Sequence, residues 1–242
     1  MQLAIAGDTP LPILEDLAAD PDFHGLVIVE VLPRILFGSR ETRGIESRRF
    51  LSAWGTTRSS PSRRMEAQLR IGVAERLAAL RLPPAQLISR LRRPGGPRVP
   101  YFSMDGTRFL RLDFSRADLD RRRATILEQI GDADAPVGED DRDQIIARLV
   151  AAEGALTQRG AQLVWLQMPR SGHVKAIEEQ RFPNARFWEP LLAQSHALAL
   201  SAGRIRSLSE FDCPDGSHID VHDAPRFTRA LAEVLNDRLQ RL

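Results

Sequence analysis

Two side chains near the end of the sequence have the types and spacing needed for acid–base chemistry. Asp215 and His218 lie three residues apart in the segment Asp215-Gly216-Ser217-His218. On a turn of this length, a carboxylate can bind one imidazole nitrogen while the other nitrogen faces a cleft, as a general base requires. We therefore predict a hydrogen bond between the two side chains. The alternative is a polar loop in which His218 caps neighbouring backbone groups.

This segment resembles the Asp-x-x-His block of the SGNH (GDSL-type) esterase and acyltransferase superfamily. In that superfamily the block precedes a C-terminal helix, the aspartate orients the histidine, and the histidine activates a serine. Asp215 and His218 match the block in residue type, spacing and position. Other stretches look like a poorly characterised bacterial branch of the superfamily, and these are residues 3–7, 14–18, 162–169, 180–183, 187–188 and 211–218.

The resemblance leaves the nucleophile open. The superfamily carries Gly-Asp-Ser at the end of its first strand, whereas this sequence has Gly7-Asp8-Thr9. On one interpretation Thr9 stands at the nucleophile position, with Gly7 and Asp8 beside the substrate. On another, residues 3–7 are the second strand of the family, Gly7 is the oxyanion-hole glycine, and the first strand with its serine is missing. Thr9 also suits the N-cap of a helix that starts at Pro10.

Two further parts of the superfamily's site can be sought in this sequence, which are the asparagine donor of the oxyanion hole and a serine elsewhere in the chain. The superfamily's Gly-x-Asn-Asp block has no counterpart after the apolar run 26–32, because Asn184 and Asn236 are the only asparagines. Losing one oxyanion donor costs ~2.7–4 kcal/mol of transition-state stabilisation. Ser171, in Ser171-Gly172-His173, could bring a serine near His218, although such a tripeptide after proline is commonly a turn. We therefore expect weak or no activity on small esters.

A metal site is the other chemistry that these residue types allow. His218, Asp220, His222 and Asp223 include metal-ligand types at short spacing. Their order matches no metal signature, and Asp223 is better explained as the N-cap before Ala224-Pro225. We therefore expect no metal and no cofactor, and the substrate that the resemblance implies is a small molecule or polysaccharide bearing an ester.

The charge distribution suggests a second class of function. Residues 1–33 carry six acidic and no basic residues, whereas residues 34–93 carry fourteen arginines and four glutamates. Such a segment can face an acidic partner or membrane headgroups. Nucleic acid is not expected, since the aromatic residues are not interleaved with the arginines. The alternative function is a catalytically inactive domain that binds a partner or polysaccharide through this segment.

The elements that must position these residues alternate between strands and helices. Continuous apolar runs at 26–32 and 162–168 predict buried strands, residues 3–6 a short one, and residues 203–208 a weaker one. Helices are predicted at 11–20, about 115–131, 143–159, 174–180, 185–198 and from 224 onward. The fold class is therefore α/β, a three-layer α/β/α sandwich with a mainly parallel sheet.

One domain is predicted over residues 1–242, with residues 34–130 inserted as helices and a hairpin that turns at Asp105-Gly106. Functional residues should follow the carboxyl ends of the strands, which here carry residues 7–9, 33–34, 169–173 and 212–218.

Composition excludes several other classes. The single cysteine, Cys213, can form neither an internal disulfide nor a thiolate zinc site. No apolar run approaches the ~20 residues that span a bilayer. The start of the chain lacks the basic region of a signal peptide. The compartment stays open, and the cell envelope is expected if an upstream anchor has been lost.

Overall fold

A computed structural model describes residues 8–39, 44–59, 62, 65, 101–104, 110–132 and 135–241. Helices and strands are interspersed along this part of the chain, which makes the protein an α/β protein. The helices are α1 (Leu11–Ala19), α2 (Pro33–Phe37), α3 (Ile45–Ser59), α4 (Leu119–Asp132), α5 (Glu139–Gln158), α6 (Gly172–Arg181), α7 (Asn184–Gln194), α8 (Arg206–Ser209) and α9 (Ala224–Leu239). The strands are β1 (Leu26–Glu30), β2 (Phe102–Met104), β3 (Leu110–Leu112), β4 (Gln162–Gln167) and β5 (Leu198–Ser201).

A parallel sheet in the order β1-β4-β5 forms the centre of the fold. Val29 lies opposite Trp165, and Leu166 lies opposite Leu200. The strands predicted at 26–32 and 162–168 are therefore present. The prediction that both are buried holds for β4 but is wrong for β1, where Leu26 and Ile28 are 44% and 43% exposed. The continuous apolar run of β4 suits its place between β1 and β5, because a central parallel strand is covered on both faces. The predicted strand at residues 3–6 lies outside the described residues.

The weaker strand prediction, at residues 203–208, is wrong. The third strand of the sheet is β5, and residues 203–208 form the end of a 3-10 turn (Ala202–Arg204) followed by α8. The sequence pattern predicted that the preceding helix extends to residue 198, but α7 ends at Gln194. There the hydroxyl of Ser195 donates to the carboxylate of Glu153 on α5, at 2.5 Å. A partner 42 residues away thus fixes the end of the helix.

The two faces of the sheet bury different helices. Leu163 and Trp165 pack into a cluster with α1, α5 and α7. Val164, Leu166 and Leu200 point the other way and pack against Leu235 of α9. Successive side chains of a strand alternate between faces, so the single run of β4 supplies both clusters. The carboxyl ends of all three strands are left to form one edge with the loops that follow them.

Parts of the segment at 34–130 pack on this sheet region. Leu36 and Phe37 of α2 belong to the main cluster, and Ile126 and Ile130 of α4 pack against Val174 of α6. The amide of Phe114, just after β3, donates to Asp220 at 2.8 Å. Strands β2 and β3 are antiparallel as predicted. The predicted turn and the arginine-rich stretch at 66–100 lie outside the described residues.

We expect limited proteolysis to release no stable fragment with boundaries near residues 34 and 130. Apolar side chains of α2 and α4 are buried against the sheet domain, so a fragment cut free would expose them and unfold. The measurement is mass spectrometry of a trypsin time course, with circular dichroism of any surviving species. A folded, protease-resistant fragment over these residues would show an independent domain. Within the described ranges no helix is long and apolar enough to cross a membrane.

Candidate functional site

Asp215 and His218 form the hydrogen bond that their spacing predicts. Nδ1 of His218 lies 2.9 Å from Oδ2 of Asp215. The carboxylate side chain is fully buried, whereas the imidazole side chain is 40% exposed. Since an ionised carboxylate only accepts hydrogen bonds, the neutral ring carries its proton on Nδ1 and leaves Nε2 as an acceptor. Nε2 has no hydrogen-bond partner in the part of the chain that the structure describes.

Hydrogen bonds to both oxygens keep Asp215 ionised. Its Oδ1 accepts the backbone N–H groups of Ser217 at 2.9 Å and His218 at 2.8 Å. Burial by itself raises the pKa of Asp215, but the hydrogen bond and charge of His218, together with these backbone bonds, bring that pKa down to about 2. The residue is therefore a charged anchor for the histidine at neutral pH.

Gly216 makes the tight turn between the two residues. Its φ is +88°, in the left-handed region that side chains with a Cβ disfavour. A Cβ atom at this position would also lie 2.5 Å from Cγ2 of Val174 on α6. The amide of Gly216 donates to the carbonyl oxygen of Cys213 at 2.7 Å and closes the turn. Glycine is thus required both by the backbone and by the packed helix.

The loop after β4 holds this turn at the carboxyl edge of the sheet. The amide of Ser171 donates to the carbonyl oxygen of Gly216 at 3.1 Å. One guanidinium nitrogen of Arg170 donates to the carbonyl oxygen of Ser217 at 3.0 Å, directly before His218. A second nitrogen of Arg170 reaches Glu30 at the end of β1, also at 3.0 Å.

Arg170 and Glu178 form a largely buried ion pair beneath the loop, whereas the other carboxylate partner, Glu30, is half exposed. Nε of Arg170 lies 3.3 Å from Glu178 on α6, and both side chains are about one-eighth exposed. Arg34 approaches the same carboxylate at 3.8 Å. Burial by itself lowers the pKa of Arg170, but the charges of Glu30 and Glu178 outweigh burial and raise it. Three of the four predicted segments, 33–34, 169–173 and 212–218, are therefore brought together.

The hydroxyl of Ser171 is engaged with Cys213 in this geometry. Its Oγ accepts the amide of Cys213 at 3.0 Å, and Sγ of Cys213 lies 3.3 Å from the carbonyl oxygen of Pro169. Burial raises the pKa of the Cys213 thiol to about 12, which keeps it protonated. These contacts fasten the two loops together. The hypothesis that Ser171 is an alternative serine for His218, or contacts the substrate, remains a prediction.

Thr9 lies in a different environment. The residue is 7% exposed, and its Oγ1 lies 3.4 Å from the amide of Leu11, in the first turn of α1. Its carbonyl oxygen accepts the hydroxyl of Ser47 at 3.0 Å. The helix begins at Leu11 with Pro10 at the N-cap, so the N-cap prediction for Thr9 is wrong by one residue, although its hydroxyl still accepts the amide of Leu11. None of the hydrogen bonds of Thr9 in the described ranges joins it to His218.

Asp8 caps the start of α3. Its carboxylate accepts the amides of Gly44 at 2.5 Å, Ser47 at 2.7 Å and Thr9 at 2.8 Å. Partial burial by itself raises the pKa of Asp8, but these hydrogen bonds lower the pKa by more than burial raises it, so the net shift is downward. A carboxylate that accepts helix-terminal N–H groups stabilises the helix. The predicted part of Asp8 in substrate binding has no contact to support it, and Gly7 lies outside the described residues.

The side chains considered as metal ligands make other contacts in the structure. Oδ2 of Asp220 accepts the amide of Phe114 and Oδ1 accepts the amide of His222, both at 2.8 Å. The ring of His222 is largely exposed and lies 3.9 Å from Asp113. Among the described residues, no three or more histidine, cysteine, aspartate or glutamate side chains are grouped as a metal ion would require.

Sequence reasoning missed the arginines that surround the dyad. It gave no role to Arg122 or Arg170, whereas both contact the loop of His218. The only signal available was that Arg170 follows a strand-ending proline. It also missed Asn184, whose Oδ1 accepts Nε2 of Gln167 at 2.8 Å, at the carboxyl end of β4.

Comparison with known proteins adds no relative. No family model matches the chain, and no match is found among curated proteins or solved structures. The class that fold and site define is thus an α/β protein with a histidine–aspartate pair at the carboxyl edge of a parallel sheet.

Proposed function

We propose that this protein is an esterase or O-acyltransferase of the SGNH type that acts on ester-linked acyl groups. His218 is the general base and Asp215 orients it. The observation that carries the proposal is the hydrogen bond from the exposed imidazole to a fully buried, ionised carboxylate. The helices on both faces of the parallel sheet support a three-layer α/β/α architecture, in which ligands bind at the carboxyl edge of the sheet.

In this mechanism Nε2 of His218 takes the proton of the attacking hydroxyl as its oxygen bonds to the acyl carbonyl carbon. The resulting imidazolium is stabilised by Asp215, and the proton then passes to the departing alkoxide as the ester bond breaks. The hydroxyls of Thr9 and Ser171 are held on backbone amides. Neither hydroxyl is hydrogen bonded to His218 among the described residues, so in this mechanism the attacking group is water or the hydroxyl of an acyl acceptor. General-base catalysis of this kind contributes ~10²–10⁴-fold, so turnover is slow.

The purified chain is expected to hydrolyse short-chain nitrophenyl esters slowly, and His218→Ala should lower kcat/KM by about 10²-fold or more. The matched control is His173→Ala, because His173 is an exposed imidazole in α6 that carries no proposed role. The control tests whether any exposed imidazole attacks an activated ester. We expect the rate of His173→Ala to remain that of the wild type.

Other outcomes would change the assignment. Loss of turnover in both His218→Ala and Thr9→Ala would make Thr9 a working nucleophile and contradict direct attack by water. A rate equal in wild type and His218→Ala would contradict the enzyme. It would favour the alternative of an inactive domain that binds a polysaccharide, an acidic partner or a membrane surface through residues 34–93.

A further inference from the structure

Arg122 reaches the dyad from the segment inserted between β1 and β4. This residue lies on α4, and its Nε is 3.3 Å from Oδ2 of Asp215. The same oxygen lies 2.9 Å from Nδ1 of His218. The Arg122 side chain is 26% exposed and its partner is fully buried. One carboxylate oxygen is therefore shared between an imidazole on its own loop and a guanidinium from a distant element.

Buried contacts fix the position of α4 relative to the loop. Ile126 and Ile130, one and two turns after Arg122, pack against Val174 of α6. Val174 is also the residue that lies against Gly216 in the turn. On the outer side, Nε of Arg123 donates to the carbonyl oxygen of Pro214 at 2.9 Å. Because the helix and the turn pack on the same residue, a shift of α4 would move Arg122 relative to the carboxylate.

We propose that Arg122 is a positioning residue for this site, which couples the inserted segment to the general base by sharing the Asp215 carboxylate with His218. The inference rests on the proposed function. Arg122 holds Oδ2 in line with the imidazole and draws part of its charge away from the ring. A guanidinium beside the pair also opposes a second positive charge on the imidazole. The inserted segment thus contacts the general base through the shared Oδ2 of Asp215.

Other charged side chains contact the same loop, and they must be left unmutated when Arg122 is tested. Arg170 binds the Ser217 carbonyl oxygen from the β4–α6 loop, and Arg123 binds that of Pro214 from α4. Asp220 and His222 lie further along the loop, and Nε2 of His222 is 3.9 Å from Asp113 and 4.0 Å from Asp220. None of them shares the carboxylate of Asp215. Arg122 can therefore be changed alone.

The experiment is a titration of His218 by NMR, read from its ring Cε1 proton and assigned by the loss of that signal in His218→Ala. In Arg122→Gln the titration midpoint should rise by about one pH unit, because a neighbouring cation is removed. The matched control is Arg121→Gln, which removes the same charge from an exposed neighbour on the same helix and should leave the midpoint unchanged. Arg122→Lys keeps the charge and should restore most of the wild-type midpoint.

An unchanged midpoint in folded Arg122→Gln would overturn the proposal, because Arg122 would then have no effect on His218. An equal rise in Arg121→Gln would also overturn it, because any nearby charge would then have the same effect. The readout needs no substrate, so it separates this inference from the proposed function. If the midpoint shifts but no ester turnover is found, the coupling between Arg122 and His218 is supported and the proposed esterase activity is contradicted. Where turnover is measurable, the acid limb of the kcat/KM profile should move with the NMR midpoint.

Discussion

Arg170→Met lowers the free energy of unfolding by about 3–5 kcal/mol, the expected cost of breaking a buried ion pair by removing one partner. Glu178, with a side chain only 12% exposed, loses its closest cation. The carbonyl oxygen of Ser217 loses its donor at the same time. Arg34, at 3.8 Å from Glu178, compensates for part of the loss. The measurement is urea denaturation followed by circular dichroism.

The matched control is Arg148→Met. Arg148 also binds a glutamate through two nitrogens, at 2.8 Å each to Glu15, but its side chain is 51% exposed. Removing an exposed pair costs less than ~1 kcal/mol. The double variant Arg170→Met with Glu178→Leu should recover much of the stability, because no unpaired buried charge remains. If Arg170→Met costs no more than Arg148→Met, Arg170 does not anchor the loop.

Asp215→Asn is expected to cost about 2–3 kcal/mol at neutral pH and to remove the general base. The new amide would place N–H groups against either the ring N–H of His218 or Nε of Arg122, since both now donate to Oδ2. His218 would escape this clash by moving its proton to Nε2, which can then no longer accept one. Ester turnover should fall to that of His218→Ala.

The pH dependence of stability identifies the same carboxylate. Its pKa is about 2 in the folded protein against a usual value of 3.8, so the folded state favours the ionised form. The corresponding stabilisation, about 2 kcal/mol, is fully present above the unfolded pKa and is lost as pH falls through the folded pKa. Between about pH 4 and pH 2, wild type should therefore lose this contribution, and Asp215→Asn should not.

Asp237→Asn is the control for this titration. Asp237 pairs with Arg241 near the end of α9, and its side chain is 52% exposed. An exposed pair of this kind contributes only about 0.3–0.5 kcal/mol, so its loss should barely change the acid limb of the stability curve. Equal acid profiles for wild type and Asp215→Asn would contradict the depressed pKa of Asp215.

The sequence by itself determined the local parts of this protein. Strands β1 and β4 follow from apolar runs, and α9 follows from its amphipathic spacing after Asp223-Ala224-Pro225. The Asp215–His218 bond was predictable because both partners lie on one turn, and a three-residue spacing fixes their distance within the chain. A contact between the Thr9 hydroxyl and the first turn of α1 was predictable for the same reason, since its partner Leu11 is two residues away.

Only the tertiary structure decided the rest, because the deciding partners are distant in sequence. The end of α7, and with it the place of β5, depends on Glu153 of another helix. Arg170 meets Glu30 across 140 residues and Arg122 meets Asp215 across 93. An arginine on a helix has the same local pattern whether its guanidinium reaches water or a buried carboxylate. Folding alone brings the carboxylate within reach, and its burial makes the contact strong.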